Sequence, residues 1–218
     1  MLVKSSVWEE AYRNVQSLWG LKPDRALLDY AGLVPKGVVL DLGVGEGRNA
    51  LFFAKMDYEV EGVDVSPTAV DRCLQRAGAH NLSVKAEVGD LREVSIEQGK
   101  YSLVIAAWVL NFFRKSEVEK IVGKMKKGLK KDGFVFVGAF SPYDPGYKRA
   151  KENLEEVEDN TFYSAKRGSF IHYFTRGEVD SLFSGLKTIH CVEGLGLDLD
   201  HDEPHYHGFI EYIGQGVV

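Results

Sequence analysis

Short apolar runs alternate with amphipathic stretches through the middle of the chain. The runs have the length and character of strands buried on both faces, and they cover residues 38–42, 60–65, 83–88, 103–109 and 134–140. Between them, apolar residues recur at every third or fourth position, which predicts helices that pack on a sheet. Strands that alternate with helices imply crossover connections. The pattern therefore predicts an α/β fold with a doubly wound, mostly parallel sheet and helices on both faces.

Local signals mark where the helices begin. Ser6 with Glu9 forms a capping box for a first helix, whose apolar stripe extends to Trp19. A second short helix is predicted from Asp24, and Ser66 followed by a proline predicts the start of another. Two later helices are predicted from the capping pairs Ser116 with Glu119 and Thr175 with Glu178.

The last third of the chain has a different pattern. Residues 186–194 and 206–213 resemble strands, and their short connection favours an antiparallel hairpin over a crossover. Residues 141–174 are rich in aromatic side chains and show no regular period, so they form either a lid or binding loop, or a surface excursion whose aromatic residues dock on the sheet. We expect one domain over residues 1–218, with a helical cap at about 1–34, an insert at about 141–174 and an antiparallel hairpin at the edge of the sheet.

Composition excludes several functions without assigning one. The formal net charge is −5 and no basic face is evident, which argues against nucleic-acid binding. Cys73 and Cys191 fall on predicted core positions, and a catalytic thiol is the minority interpretation. No apolar run approaches the ~20 residues of a membrane span, and residues 1–17 lack a secretory apolar core. We expect a cytoplasmic protein without a membrane partner, either a monomer or a homodimer.

A glycine-rich loop follows the first predicted strand and opens a helix. It reads Asp41-Leu42-Gly43-Val44-Gly45-Glu46-Gly47. Glycines at alternate positions let the backbone turn tightly and approach a ligand, and the helix N-terminus behind them offers unpaired amides. Asp64 ends the second strand, where a carboxylate can accept both hydroxyls of a ribose. The segment from residue 39 to 66 is therefore predicted to hold a nucleotide cofactor.

Two details of the loop argue against a dinucleotide. The dinucleotide fingerprint places two residues between its second and third glycines, whereas here Glu46 alone separates them. Asp41 and Glu46 also bring two carboxylates to the loop, and these would repel a pyrophosphate. They would tolerate a cationic ligand without phosphates, such as a sulfonium that bears an ammonium group. An NAD-dependent oxidoreductase remains the weaker alternative.

The same segment resembles motifs I and II of class I S-adenosylmethionine (SAM)-dependent methyltransferases, and the run from Leu40 to Asn49 is especially similar to the TehB-like group. Three further segments are similar to the family: Gly89-Asp90-Leu91, residues 101–110 at motif IV, and Lys131-Asp132-Gly133-Phe134. The resemblance covers residues 37–140 well and the rest loosely. It implies a Rossmann-like fold, SAM as the cofactor and transfer of its methyl group.

The resemblance also implies which residues hold the cofactor. The methionine portion would lie against Asp41, Gly43, Gly45, Gly47, Arg48 and Asn49. The ribose and adenine would lie against Asp64, Val65, Ser66, Asp90 and Leu91. The methyl-donating end would lie against Ala106, Ala107 and Trp108. The N-terminal helix, with Tyr12 and Trp19 next to Trp8, would either close over the cofactor or simply pack on the domain.

The acceptor side is less defined, and no general base can be named. Asn111 and Phe112 follow motif IV without the Pro-Pro-Tyr signature of DNA and protein methyltransferases, so a small-molecule acceptor is favoured. Further candidate substrate contacts are Tyr143, His205 and His207. The histidine-rich segment 201–208 is a wall of the substrate pocket, a solvated hairpin end or a metal site, and we predict no metal. A methyltransferase is expected, and a non-catalytic SAM-binding module is the alternative.

Overall fold

The computed structural model describes residues 6–165, 168–198 and 204–217. The main sheet consists of β1 (Val38–Leu42), β2 (Glu59–Asp64), β3 (Val84–Val88), β4 (Tyr101–Ala107), β5 (Leu129–Phe140), β9 (Leu186–Asp198) and β10 (His205–Gly216). Its strand order is β3-β2-β1-β4-β5-β10-β9. The helices are α1 (Ser6–Arg13), α2 (Arg25–Tyr30), α3 (Arg48–Lys55), α4 (Pro67–Ala79), α5 (Lys115–Gly128), α6 (Pro145–Asn153) and α7 (Arg176–Leu182). The predicted doubly wound, mostly parallel sheet is confirmed.

Two apolar cores lie on the two faces of this sheet. One is formed by strand residues such as Leu42 and Val104 together with the buried stripe of α5. The other is formed by residues such as Val39 and Ile105 together with α3. Because successive side chains of a strand point to opposite faces, a strand that serves both cores is apolar throughout. The continuous apolar runs of the sequence thus follow from helices covering both faces.

The expected C-terminal hairpin is also confirmed. β10 pairs antiparallel with both β5 and β9, whereas the other neighbouring strands of the main sheet pair in parallel. Of the two hairpin strands, β9 lies at the edge and β10 lies inside the sheet. The inner position buries Ile210, Tyr212 and Ile213.

The insert is not irregular, contrary to the prediction. It contains α6 and a three-stranded antiparallel sheet of β6 (Glu155–Glu158), β7 (Thr161–Ser164) and β8 (Ser169–His172). Strands of four residues are too short to show a period. Phe162 and Tyr173 pack with Ala150 of α6, and Phe140 at the end of β5 packs against this cluster. The aromatic residues therefore hold the insert together and fasten it to the main sheet.

The capping box predicted at Ser116 is wrong, whereas the one predicted at Ser6 depends on a side chain outside the described residues, and only the partners of its Glu9 are known. α1 ends at Arg13 rather than continuing to Trp19, and its Glu9 accepts hydrogen bonds from Ser66 and Thr68 at the start of α4. α5 begins at Lys115, and its first-turn acceptor is Glu117, which receives the N–H of Arg114. Ser116 instead donates to Glu158 in β6, so it ties α5 to the insert.

Other start signals are confirmed. The hydroxyl of Ser66 accepts from the Ala69 N–H at the start of α4, and that of Thr175 accepts from the Glu178 N–H at the start of α7. The short helix predicted from Asp24 is α2, and it continues as a 3₁₀ turn over Ala31–Leu33. Within the described ranges, no helix is long and apolar enough to cross a membrane.

Candidate active site

A cleft of about 640 Å³ opens at the carboxyl ends of β1, β2 and β4. Doubly wound sheets bind ligands at this end, where the strand order reverses. The volume lies within the range of roughly 300–1,000 Å³ that is usual for small-molecule sites. The loop of residues 43–46 lines one side of the cleft, and the hairpin of β9 and β10 lines another with residues such as His207 and Glu211. The cleft therefore joins the segments predicted for a cofactor with those predicted for an acceptor.

The glycine loop depends on conformations that side chains disfavour. Gly43, Gly45 and Gly47 have φ angles of +74°, +52° and +91°. A Cβ atom at Gly43 would lie 2.6 Å from Cγ2 of Val109, and one at Gly47 would lie 2.6 Å from Sγ of Cys73. Gly43 and Gly45 line the cleft, whereas Gly47 allows α3 to approach α4. Cys73 is accordingly buried in the core, as its position in the sequence predicts.

Asp64 lies at the end of β2 with its carboxylate held by two backbone amides. One oxygen accepts the N–H of Gly45 at 2.9 Å, and the other accepts the N–H of Ser66 at 2.9 Å. Burial raises the pKa of Asp64, and these hydrogen bonds oppose that shift. Each carboxylate oxygen keeps a lone pair for a further donor. Asp64 and Val65 both line the cleft, so a pair of ligand hydroxyls could reach the carboxylate.

Asp24 organises the cleft, and sequence reasoning identified it only as a helix start. Its carboxylate does not cap α2. It accepts from Arg48, from Nδ2 of Asn49 at 2.8 Å and from Nε1 of Trp108 at 2.8 Å. Arg48 and Trp108 line the cleft, and Trp108 has a positive φ of +61°. One acidic side chain thus fixes groups from the glycine loop and from the end of β4.

The charges near the loop differ from what the sequence suggested. Glu46 forms ion pairs with Arg72 and Arg76 of α4 and accepts hydrogen bonds from Ser17 and Leu18. Burial raises the pKa of Asp41 to about 8, although the nearby Arg48 opposes that shift. The loop therefore does not present two free carboxylates at neutral pH. The argument against a pyrophosphate now depends on the glycine spacing rather than on repulsion.

Several residues predicted to contact the cofactor lie behind the cleft lining in this structure, and their contact with the cofactor stays a prediction. Asn49 bonds to Asp24 through both ends of its amide, and Ser66 is engaged with Glu9 and the start of α4. The residues in this supporting position are Asp41, Gly47, Asn49, Ser66 and Ala106, all of them outside the cleft lining. These five residues position the loop and the strands that carry the lining residues.

The wall predicted for adenine is formed by residues that follow β3. Leu91 is buried and lines the cleft beside Asp90. The side chain of Arg92 donates to both carboxylate oxygens of Asp90, and this pairing holds the pKa of Asp90 below its usual range. Asp90 is therefore a fixed negative group at the cleft edge.

The N-terminal segment covers the glycine loop. The hydroxyl of Tyr12 lies 2.7 Å from the position that a Cβ atom of Gly45 would take, and burial raises the pKa of Tyr12. Trp8 packs edge-on against Phe112 with their ring centroids 4.5 Å apart, and Trp8, Tyr12 and Trp19 all line the cleft. The segment thus packs on the domain and also closes one side of the cleft.

Some of the residues predicted to contact the acceptor line the cleft, and others do not. Phe112 and His207 line the cleft, as do Ala107 and Trp108 from the predicted methyl-donor region. Asn111 does not line the cleft: it is fully buried and donates to the carbonyl oxygen of His172, which fastens the insert to the end of β4. Tyr143 is 64% exposed and, like His205, is not part of the cleft lining. Of the histidine-rich segment, residues 201–203 lie outside the described residues.

Glu211 is a cleft residue that the sequence did not single out. It lies on β10 opposite Gly138 of β5, among apolar strand residues. Burial, and then the charges of Asp24 and Asp29, raise its pKa to about 7. Glu211 stands between the buried residues Ile210 and Tyr212, and a charged residue at such a position could have been noticed in the sequence. The nearby carboxylates Asp24 and Asp29 belong to the α2 region, so the strand sequence does not indicate them.

Known proteins that resemble this chain include SAM-dependent methyltransferases. A sequence model of the family described as a methyltransferase domain matches residues 39–133. The chain is 33% identical over 127 residues (57% of this chain, 42% of the relative) to "Hemagglutinin 1" of Eikenella corrodens. It is 26% identical over 119 residues (54% of this chain, 41% of the relative) to the "Probable S-adenosyl-L-methionine-dependent methyltransferase TehB" of Haemophilus influenzae. The chain therefore spans less than half the length of these two relatives.

A solved structure shares the fold over almost the whole chain. It is the Burkholderia thailandensis 1,6-didemethyltoxoflavin-N1-methyltransferase with bound 1,6-didemethyltoxoflavin and S-adenosylhomocysteine. The TM-score is 0.73 at 14% identity, and the match covers 99% of this chain and 88% of the other. The matched family segment contains the glycine loop and Asp64 and ends within β5. Residues 39–133 thus match the methyltransferase-domain family, and over about half of its length the chain is similar to the SAM-dependent methyltransferase TehB.

Proposed function

We propose that this chain binds SAM in the cleft and transfers its methyl group to a small-molecule acceptor. The observation that carries the proposal is the position of Asp64, which stands beside Gly43 and Gly45 in a cleft that continues to the β10 wall. A cofactor held at the loop would thus have open space in front of its reactive end.

The residues of the loop fit this cofactor. Side chains at Gly43 or Gly45 would collide with Val109 or Tyr12, so these two positions require glycine for the loop to keep its place in the cleft wall. Asp64 is oriented by two amides and can accept hydroxyl donors. When bound, SAM supplies an electrophilic methyl group on a sulfonium. The chain's own residues then bind and orient the two reactants and exclude water.

The acceptor wall favours a small, partly apolar molecule. Aromatic rings from the N-terminal segment, β4, β5 and β10 line this part of the cleft, among them Trp8, Trp108, Phe140 and Phe209. Such walls exclude water, and holding two reactants in line accounts for a large part of the rate of a displacement. The Burkholderia relative in fold is by its description an N-methyltransferase of a small heterocycle, which supports the same class of acceptor here.

We also propose that the chain works as one domain with two covering segments. The N-terminal cap of about residues 1–34 contributes Trp8, Tyr12 and Trp19 to the cleft. The insert of about residues 141–174 contributes Ile171. Both segments are anchored by polar contacts, from Glu9 to α4 and from Ser116 to Glu158, which hold them beside the cleft as coverings.

Calorimetric titration with S-adenosylhomocysteine tests the cofactor site. The wild type should bind it, and Asp64→Ala should weaken binding by about 1.5–3 kcal/mol, or roughly 10- to 150-fold, because a charge-assisted hydrogen bond is lost. Asp71→Ala, which changes an exposed carboxylate on α4, is the control and should bind normally. Absence of binding by the wild type at millimolar ligand would refute the proposal.

The transfer itself is tested with methyl-labelled SAM and a fractionated cell extract. Label should move to molecules in the small-molecule fraction, and at a subsaturating SAM concentration it should do so at least tenfold more slowly with Asp64→Ala. Label found only on protein or nucleic acid would contradict a small-molecule acceptor. Normal S-adenosylhomocysteine binding without any transfer would favour the non-catalytic SAM-binding alternative.

A further inference from the structure

We propose that Asp198, His205 and His207 bind one divalent transition-metal ion at the acceptor wall of the cleft. The sequence alone led us to expect no metal. The inference rests on four features of the hairpin: the shared face of the three side chains, the contact between the two imidazoles, the carboxylate behind His207 and the position of the group in the cleft.

The three side chains project from one face of the hairpin. His205 and His207 are two residues apart on β10 and so point the same way. Asp198 of β9 is the direct partner of His205 in the strand ladder. One ligand atom from each residue lies within 4.8 Å of the other two. Nitrogen and oxygen ligands of zinc lie at about 2.0–2.2 Å from the ion, so small side-chain rotations bring these atoms into one coordination shell.

The two imidazoles face each other through their Nε2 atoms, which are 2.8 Å apart. His207 Nδ1 lies 2.9 Å from Oδ2 of Asp144. An ionised carboxylate can only accept, so Nδ1 carries the proton and Nε2 of a neutral His207 keeps its lone pair. That lone pair points towards His205. Two nitrogens at this distance share a proton or a cation, and this tautomer of His207 is the one that a metal requires.

Asp144 supplies the outer support that metal-binding histidines usually have. Its Oδ2 accepts from the His207 ring and also from the N–H of Gly208 at 3.1 Å. A Cβ atom at Gly208 would lie 1.8 Å from the backbone nitrogen of Asp144, so the two segments touch only because residue 208 is glycine. Phe140 packs on the His207 ring with centroids 5.1 Å apart. The His207 imidazole is therefore fixed before any ion arrives.

The site opens towards the methyl acceptor. Asp198 and His207 both line the cleft that also contains the glycine loop. Two imidazoles and one carboxylate leave coordination positions for a further ligand, as in sites that bind zinc or iron(II). On the proposed function, on which this last step rests, that ligand is a hydroxyl, thiol or amine of the acceptor. Its pKa would fall on binding the cation, which makes it a better nucleophile.

Metal binding is tested directly on the full chain, purified without a histidine tag and treated with EDTA. The probes are zinc chloride, followed by calorimetry, and cobalt chloride, followed by its visible absorption. The wild type should bind one equivalent, and His205→Ala, His207→Ala and Asp198→Asn should each weaken zinc binding by at least tenfold. Asp144→Asn should weaken it by roughly 10- to 100-fold, the usual effect of losing an outer-shell partner.

His80→Ala is the matched control, because it removes an exposed histidine at the end of α4, away from the hairpin. It should bind zinc as the wild type does. Substoichiometric zinc in the wild type, or unchanged affinity in the His205, His207 and Asp198 variants, would overturn the proposal.

The same preparations are titrated with S-adenosylhomocysteine to separate the two proposals. Normal S-adenosylhomocysteine binding without zinc binding overturns the metal site alone. Zinc binding that the ligand variants abolish, without S-adenosylhomocysteine binding, supports the metal site and overturns the proposed function. Circular dichroism establishes that each variant is folded.

Discussion

Replacing Glu211 with glutamine should make the protein more stable at pH 8 and leave its stability nearly unchanged at pH 4.5. Glu211 is a half-buried carboxyl of the cleft wall, and burial together with the nearby charges of Asp24 and Asp29 raises its pKa from 4.5 to about 7. Glutamine resembles the protonated form, so Glu211→Gln removes the cost of ionising the group without changing its shape.

The size of the effect follows from the pKa difference between the unfolded and folded chain. The two values are 4.5 and about 7 for Glu211. At 1.36 kcal/mol for each pH unit, their difference corresponds to about 3 kcal/mol. Between these pH values the folded protein binds more protons than the unfolded chain. The stability that protonated Glu211 provides is therefore fully present below pH 4.5 and is lost as pH rises through 7.

Urea unfolding followed by circular dichroism, repeated between about pH 4.5 and 8.5, measures this effect. The free energy of unfolding of Glu211→Gln minus that of the wild type should rise from near zero to about 3 kcal/mol. Other titrating groups, such as Asp41, are present in both proteins, so their effects largely cancel. Glu87→Gln, which changes an exposed glutamate of β3, should show no such rise. A difference that is constant with pH, or that falls, would refute our account of the cleft wall.

Three further predictions address the loop, the cleft support and the cap. Gly43→Ala should lower the free energy of unfolding by about 1–3 kcal/mol and reduce S-adenosylhomocysteine affinity, because residue 43 has a positive φ and a Cβ atom there would collide with Val109. As the control in the same urea assay, Gly123→Ala in the open middle of α5 should raise the free energy of unfolding by about 0.5–1 kcal/mol. Asp24→Ala should cost about 1.5–3 kcal/mol of stability and also weaken S-adenosylhomocysteine binding; a loss below 0.5 kcal/mol would contradict its role as a shared acceptor. Glu9→Ala should speed proteolysis of the N-terminal segment while the urea midpoint stays the same. Since hydrogen bonds lower the pKa of Glu9, the wild-type segment should also become more sensitive as pH falls below 4.5. Equal cleavage rates would show that Glu9 does not hold the cap.

The sheet and its glycine loop could be predicted because their signals are local. Buried parallel strands are apolar throughout, and the loop needs glycines at fixed positions for its backbone conformation. Each constraint acts on residues that are neighbours in the chain, so it can be recognised from the sequence without knowledge of the fold. The strands of the insert were missed because each is only four residues long, and what stabilises them is contact between aromatic residues such as Phe162 and Tyr173.

The support of the site could not be predicted, because it depends on partners far apart in the chain. Asp24 has the sequence context of a helix cap, yet its carboxylate serves Trp108 at the end of β4. Glu46 suggests a free negative charge until Arg72 and Arg76 of α4 are placed beside it. A local pattern shows which residue is charged, but the fold decides which charge is neutralised.

The inner position of β10 links the completion of the sheet to the completion of the cleft. β9 precedes β10 in the chain, yet β10 is its partner in the main sheet. One edge of β5 likewise stays unpaired until β10 is in place. Until β10 inserts, two strands present unpaired backbone groups that could pair with other chains. The same strand carries Glu211, His205 and His207. A chain that stalls before this step would therefore be prone to aggregation and would also lack the β10 wall of its cleft.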